Sequence, residues 1–379
     1  MKGSPTILVV DNSRAVTGAL NAVRHATQPL RPQFCFRYVV PAGSAATAIL
    51  VADGYAVQEL PFVEISRRPA DLLRYVPMLL LNGWRLYRLA RRTEASIIHL
   101  NDFYNLTGYV AKLLSFGKLR VVTHVRFLPQ SLPQPLARTW RWLAEAGASQ
   151  VVCVSEAVRR YFGPSARVQV VYDPLPSRAP QAPPAYPARP DGTVQLLYLS
   201  NYIQGKGQNF ALEAFAQAHA HNPRLRLRLV GGDMGLEKNR DFRRQLEARA
   251  AQAQLHEAVE FAGFATDVAQ EIRAADIVLN FSESESFSLT CLDALYYGTA
   301  LIASDCGGPA ELFEHGRSGW LVPNRDVGAM AAAISRLGAD AGLRAAFAEA
   351  GQQYVSQKFA PAHTYGRLAA VYHRVLAAT

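Results

Sequence analysis

Two short stretches in the second half of the chain place charged residues where a polyphosphate or a sugar could be held. In LSNYIQGKGQNFALEAF, 199–215, Gly205 and Gly207 flank Lys206. The glycines let the backbone turn tightly and approach a ligand, and the lysine between them is a point charge for phosphate. A Walker A loop is excluded, because Gly207 stands where Ser or Thr should follow the lysine and Ser200 takes the place of the first glycine. An ordinary glycine-rich strand–helix turn with a solvated lysine fits this motif alone equally well. The second stretch is FSESESFSLTCLDALYYGTALIASDCGGPAEL, 281–312. A strand ends at Asn280 and a helix is expected to begin near Phe287–Leu289, so that the N–H groups of Phe287, Ser288 and Leu289 point into the strand-end crevice and suit a diphosphate. Glu285, just outside that helix end, could accept hydrogen bonds from sugar hydroxyls, and Asp293, eight residues on, could do so for a ribose. The alternative is an acidic cluster favoured by the helix macrodipole, with Asp293 on a solvated face. Its neighbours Leu292, Ala294 and Leu295 argue against solvation there.

These loops need strands and helices to hold them. Before residue 174 the predicted strands are 6–10, 34–40, 96–100, 120–124, 150–154 and 168–172. After residue 190 they are 194–199, 225–230, 258–261, 276–280 and 300–304. Near-continuous apolar strands separated by helical segments are what a parallel sheet covered on both faces requires. Between Pro174 and Pro190 stand seven prolines in 17 residues, a density that excludes helix and central strand. The expected organisation is therefore an N-terminal domain over 1–175, a proline-rich linker over 176–192, a second domain over 193–360, and a helix over 361–379 returning to the first domain. Each domain reads as a doubly wound α/β fold, with ligands at the carboxyl ends of the strands in a cleft between the two.

At 379 residues, half of them hydrophobic and 18% charged, the chain can build two cores and is not globally disordered. Cys35, Cys153, Cys291 and Cys306 have no paired spacing and no histidine companions, which favours reduced thiols in a cytoplasmic protein over disulfides or zinc. The apolar run before Asp11 is too short for a signal peptide, and no stretch reaches the roughly 20 apolar residues of a membrane span. The net charge of +10 is uneven: residues 1–175 carry 21 Lys/Arg against 10 Asp/Glu, and residues 176–379 carry 19 against 20. One basic domain suggests an anionic partner.

Taken in order, strand–Ser–x–x–Glu–x–Phe–x–Leu, an acidic residue eight after the glutamate, Gly298 and ASDCGGPAEL resemble the retaining glycosyltransferases of family 4, which have the two-domain GT-B fold. SNYIQGKG resembles the family's phosphate-binding segment, VEFAGFATDVAQEIRAADIVLNFS its approach to the donor site and GRSGWLVP its usual sequel. SIIHLND, VVTHVRF, VVCVSEAVRRYF and VQVVYDPL resemble its acceptor-domain strands. The resemblance implies transfer of a hexose from a nucleotide sugar, UDP- or GDP-linked, to a glycan or lipid-linked acceptor in cell-surface polysaccharide or glycolipid synthesis. It implies that Lys206 neutralises the diphosphate, Glu285 holds the sugar, the amides of Phe287–Leu289 cradle the phosphates and Asp293 holds the ribose. Gly263 and Phe264 would lie by the base, Gly18 near the phosphates or acceptor, and His124 would contact the sugar or acceptor. The other reading of His124 is a strand-end histidine bonded within the core. Asn201, in the donor segment, replaces the family's usual arginine, Asp293 its second glutamate, and Ser286 and Ser288 its glycines.

No Asp-x-Asp occurs, so a metal–diphosphate clamp has no obvious source and no metal or other cofactor is expected. Cations and helix N-termini would stabilise the departing nucleoside diphosphate, with front-face attack and retention at the anomeric carbon. The segment 67–92 carries seven arginines interleaved with Leu, Trp84 and Tyr87. It fits either a peripheral contact with the anionic inner face of the cytoplasmic membrane or a core-packing helix with a basic outer side. A nucleotide-sugar epimerase of the same fold is the runner-up function. A nucleic-acid partner is set aside because no recognition motif accompanies the basic half.

Overall fold

The computed structural model describes residues 4–63, 69–175, 189 and 191–378. Most of the proline-rich stretch (176–188 and 190), together with Arg67 and Arg68 at the head of the basic segment, lies outside the described residues. The chain divides into two compact units, Met1–Pro174 with Pro361–Thr379, and Leu175–Ala360.

Unit 1 holds a parallel seven-stranded sheet. Its strands are β1 (Thr6–Val10), β2 (Cys35–Pro41), β3 (Ala56–Leu60), β4 (Ala95–Leu100), β5 (Arg120–Val125), β6 (Gln150–Cys153) and β7 (Val168–Val170), in the order 3-2-1-4-5-6-7. The central strands are buried on both faces, with Ile7 through Val10 and Ile97, Ile98 and Leu100 fully inaccessible. Such strands carry continuous apolar runs, which is why they stand out in the sequence. β3, AVQEL, does not. It is an edge strand paired only with β2, and Gln58 and Glu59 face solvent. The helix Pro361–Ala377 closes the core of this unit with Leu368, Val371, Tyr372 and Val375, and the Tyr372 ring packs edge-on to Phe34 with centroids 5.3 Å apart.

Unit 2 holds a parallel six-stranded sheet of β8 (Val194–Leu199), β9 (Leu225–Val230), β10 (Val259–Ala262), β11 (Ile277–Asn280), β12 (Ala300–Ser304) and β13 (Trp320–Val322), in the order 10-9-8-11-12-13. The three residues of β13 are too few for a periodic signal. In both sheets the direction of winding reverses once, between β1 and β4 and between β8 and β11. Loops at the carboxyl ends of such strand pairs diverge and leave a crevice. Among the described residues no helix is long and apolar enough to cross a membrane.

Candidate active site

The loops that leave β8 and β11, at the reversal in unit 2, are tied together by their backbones. The Tyr198 hydroxyl donates to the carbonyl of Lys206 at 2.5 Å and accepts from the Phe281 amide at 2.9 Å. The Glu283 amide donates to the Gly205 carbonyl at 2.9 Å. Gly207 has φ +81°, and a Cβ there would stand 1.9 Å from the Phe281 carbonyl oxygen. No other residue fits that contact.

Glu285 is held from both sides by β12's continuation, its amide donating to Cys306 and its carbonyl accepting from Gly308 at 2.8 Å. Its side chain is thereby aimed at the glycine-rich loop. Lys206 Nζ lies 2.5 Å from Glu285 Oε1, with 34% and 15% of the two side chains exposed, and Ser282 Oγ donates to the same oxygen at 3.2 Å. A partly exposed ion pair contributes roughly 0–1 kcal/mol to folding. Two backbone clamps for so little stability mark a geometry kept for something other than the fold.

The helix after this loop runs Leu289–Tyr296, starting at the end of the expected interval. Ser288 is its N-cap at φ +79°. Its hydroxyl accepts from the Cys291 amide at 3.3 Å and from Asn280 Nδ2 at 2.9 Å. The amides of Ser288 and Leu289 find no partner among the described residues and can serve an anion. Phe287 is a core residue whose ring packs on Phe359 at 5.7 Å. Asp293 sits on the second turn and makes no side-chain hydrogen bond among the described residues, and burial pushes its carboxyl up to about 7.

Asn201 spends its side-chain oxygen on the Gly232 amide at 3.1 Å and its backbone oxygen on Gln208 Nε2 at 2.8 Å, so it clasps the β8 loop to the end of β9. The Gly263 carbonyl accepts from Gly231 at 3.2 Å, and Phe264, 76% exposed, stands beside Gly232 at the rim. Glu283 is not the free surface group that the Ser–Glu alternation suggests. It pairs with Arg325 at 2.5 Å, while Asn324 donates to its carbonyl. Ser282 and Tyr198 belong to the site although no motif marks them. A hydroxyl in a Ser–Glu repeat and a tyrosine in a strand carry no signal of their own.

The corresponding reversal in unit 1 carries a buried polar network. Arg126 donates through Nε to Asn101 Oδ1 at 2.6 Å and pairs with Asp173 at 2.5 Å, and Asn101 donates to Asp11 at 2.6 Å. His124, 3% exposed, stacks on His99 with centroids 5.5 Å apart. Arg126 is a donor only, so at 3.3 Å it makes His124 Nδ1 the acceptor and puts the ring proton on Nε2, which is buried without a partner. Burial and the Arg126 charge hold His124 well below the ordinary imidazole range and His99 down to about 3, so both rings are neutral. This is the surrounding expected of a core histidine, and Nε2–H is the atom of His124 left for a ligand. Gly18 opens the helix Gly18–Thr27, which Thr17 caps by accepting from the Leu20 amide at 3.2 Å.

Nearby, a cavity of about 30 Å³ is lined by Asn12, Tyr104, Asn82 and Asn105 among others. Asn82 gives its NH₂ to the Pro61 carbonyl and Asn105 its oxygen to the Thr107 amide, which leaves Asn82 Oδ1 and Asn105 Nδ2 buried and unpaired. Burial also raises the Asp102 carboxyl, next to this cavity's Tyr104, to about 8. Among the described residues no three His, Cys, Asp or Glu side chains are grouped to hold a metal.

The chain matches two family models in series, Glycosyltransferase Family 4 over residues 40–175 and Glycosyl transferases group 1 over 185–354. An exopolysaccharide phosphotransferase from Streptomyces coelicolor is 34% identical over 149 residues, 39% of this chain and 15% of its own length. A D-inositol 3-phosphate glycosyltransferase from Thermobispora bispora is 31% identical over 350 residues, 83% of this chain and 78% of the relative. The chain thus spans a small part of the first relative and over three quarters of the second. Among solved structures, Anabaena HepE in complex with UDP-glucose is similar in fold, with a TM-score of 0.80, 23% identity, and 97% of this chain and 99% of that one covered.

Proposed function

The chain belongs to the group 1 glycosyl transferases of glycosyltransferase family 4, and from that membership we propose that it transfers a hexose from a nucleotide sugar to a glycan or lipid-linked acceptor, with retention and without a metal. The observation that carries this reading is the Lys206–Glu285 pair at 2.5 Å, set at the carboxyl ends of β8 and β11 beside a helix N-terminus with free amides. A cation and two N–H groups suit a diphosphate, and a backbone-clamped carboxylate next to them suits sugar hydroxyls. Asp293 would take the ribose and Phe264 the base. UDP is the first base to try, because Anabaena HepE binds UDP-glucose, and GDP is the second.

In the proposed step the anomeric carbon's bond to the diphosphate oxygen breaks while the acceptor oxygen bonds to the same face. The acceptor proton passes to the departing phosphate. Lys206 and the Ser288 and Leu289 amides face the charge that develops on that phosphate, which is where fixed donors lower a barrier most. The acceptor would meet unit 1. A lipid-linked acceptor in cell-surface polysaccharide or glycolipid synthesis would bring the enzyme to the cytoplasmic side of a membrane, and 67–92 is the segment offered for that contact.

A thermal-shift screen against UDP- and GDP-sugars tests donor binding, since a ligand of the native state raises apparent stability by mass action. Glu285→Ala should keep the fold and lose transfer, and near-normal activity in that variant would sink the assignment. Conversion of the donor with no acceptor present would point to an epimerase instead.

A further inference from the structure

Unit 1 presents a surface on which exposed apolar side chains stand among more cations than carboxylates. The helix Pro69–Arg92 buries Asn82, Leu86 and Ala90 and turns a stripe outward in which Leu73 is 79% exposed, with Val76, Leu80 and Trp84 following at helical spacing. Packed alongside is the helix Thr107–Leu114. At the contact a Cβ on Gly83 would lie 2.3 Å from Val110 Cγ1, so only glycine lets the two helices approach this closely. The end of that second helix and the turn after it expose Leu113 at 76% and Phe116 at 94%, the latter at φ +52°. More than half of the large hydrophobics exposed among the described residues lie on these two helices and this turn.

Around them stand Arg74, Arg85, Arg88, Arg91, Arg92 and Lys118, none within ion-pair distance of a carboxylate among the described residues. Arg88 instead lies over the Trp84 ring at 4.7 Å. Two acids border them, Glu59 beside Arg85, Arg88 and Arg92, and Glu94 beside Arg91 and Lys118, so the cations outnumber the carboxylates without being ion-paired to them. Exposed apolar side chains set among an excess of cations fit an anionic interface with an apolar interior. A second copy of this chain fits poorly, because a two-fold contact would set the same cations against each other.

We propose that the outer face of Pro69–Arg92 and the Leu113–Lys118 turn form one docking surface for an anionic phospholipid bilayer, with Phe116 and Leu113 entering the acyl boundary. This rests on the membrane contact offered for 67–92 and extends it to a turn outside that segment. Its test needs neither donor nor acceptor, so a failed binding assay and a failed transfer assay remain distinguishable.

Co-sedimentation of the full chain with phosphatidylglycerol-containing vesicles and with pure phosphatidylcholine vesicles provides that test. The chain should pellet with the anionic vesicles only, and added salt should release it. Arg88→Ala/Arg91→Ala should weaken binding by about fivefold for each cation removed, the equivalent of about 1 kcal/mol per Lys or Arg at a charged surface. Leu113→Glu/Phe116→Glu, at two exposed positions, should abolish vesicle binding and leave the circular-dichroism melt unchanged. Three outcomes would overturn the proposal: equal binding to neutral vesicles, wild-type binding by the Leu113→Glu/Phe116→Glu variant, or lipid-free self-association abolished by that same variant. The last would make the surface a contact between copies.

Discussion

The roles proposed for Lys206 and Glu285 can be told apart by single substitutions. If Lys206 meets the diphosphate both when bound and as it departs, Lys206→Ala should weaken nucleotide-sugar binding by about 10- to 100-fold, the worth of one hydrogen bond to a charged group, and lower kcat as well. Glu285→Gln keeps the shape of the side chain and should leave donor affinity within a few-fold while kcat falls by about 100-fold or more. Titration calorimetry with a UDP-sugar, paired with steady-state kinetics, separates the two. Equal effects on binding would merge their roles. Asp293 adds a pH signature. Its carboxyl takes up a proton near pH 7 when folded and near pH 4 when unfolded. The native state therefore binds more protons between those values, and the burial penalty grows as pH rises from 4 to 7. Asp293→Asn should raise Tm at about pH 8 and leave it nearly unchanged at about pH 4. If the ionised carboxylate receives ribose hydroxyls, donor binding should release protons near neutrality, and this release should vanish in the same variant.

At the scale of elements, the start of the Leu289–Tyr296 helix is the most informative feature. Ser288 combines a backbone conformation suited to glycine with a side chain that caps the helix. The two demands oppose each other, and the substitutions should show it. Ser288→Gly relieves φ and loses only a few tenths of a kcal/mol of capping, whereas Ser288→Ala keeps the strained φ and loses about 1 kcal/mol. Urea denaturation of both variants checks the order, and a less stable glycine variant would refute it. Gly207 is under a stricter demand. A methyl group there meets backbone rather than a flexible side chain, so Gly207→Ala should cost at least about 2 kcal/mol and separate the loops that carry Lys206 and Glu285. Loss of donor binding together with stability is the expected result.

At the scale of the molecule, unit 1 buries titratable groups whose protonation couples its stability to pH. His99 and His124 are neutral and buried in unit 1, with folded values far below the unfolded imidazole. Below about pH 6.5 the unfolded chain binds protons that both rings refuse, which lowers stability by up to about 1.4 kcal/mol per pH unit for each histidine. The Asp102 carboxyl, pushed up to about 8, holds a native-state proton that offsets about one of them. Hydrogen exchange should show protection of β4 and β5 falling between about pH 6.5 and 5. The core of unit 1 also depends on a distant part of the chain. Leu368, Val371, Tyr372 and Val375 arrive from the helix Pro361–Ala377, and the Tyr372 hydroxyl lies 2.6 Å from His99 Nδ1. Ending the chain at residue 360 should expose that core and strip protection from β1 and β2 before it affects the strands of unit 2.

Two parallel sheets could be read from the sequence because strands buried on both faces must be apolar throughout, and such runs are visible one residue at a time. The edge strand β3 and the short β13 escaped that reading because one is half solvated and the other too brief for a pattern. The Gly-Lys-Gly loop and the Ser–Glu repeat are each visible in the sequence, although each alone also fits an ordinary strand–helix turn or an acidic helix start. The order of those motifs carried the family. What the sequence left open were the distances and the burial: which glutamate meets Lys206, that Glu283 is taken by Arg325, that Asn201 is occupied by Gly232, and that His124 lies in the core. Those outcomes depend on contacts between residues far apart in the chain, such as Lys206 with Glu285 and Tyr198 with Phe281. No local pattern encodes them, and only the folded backbone brings the atoms together.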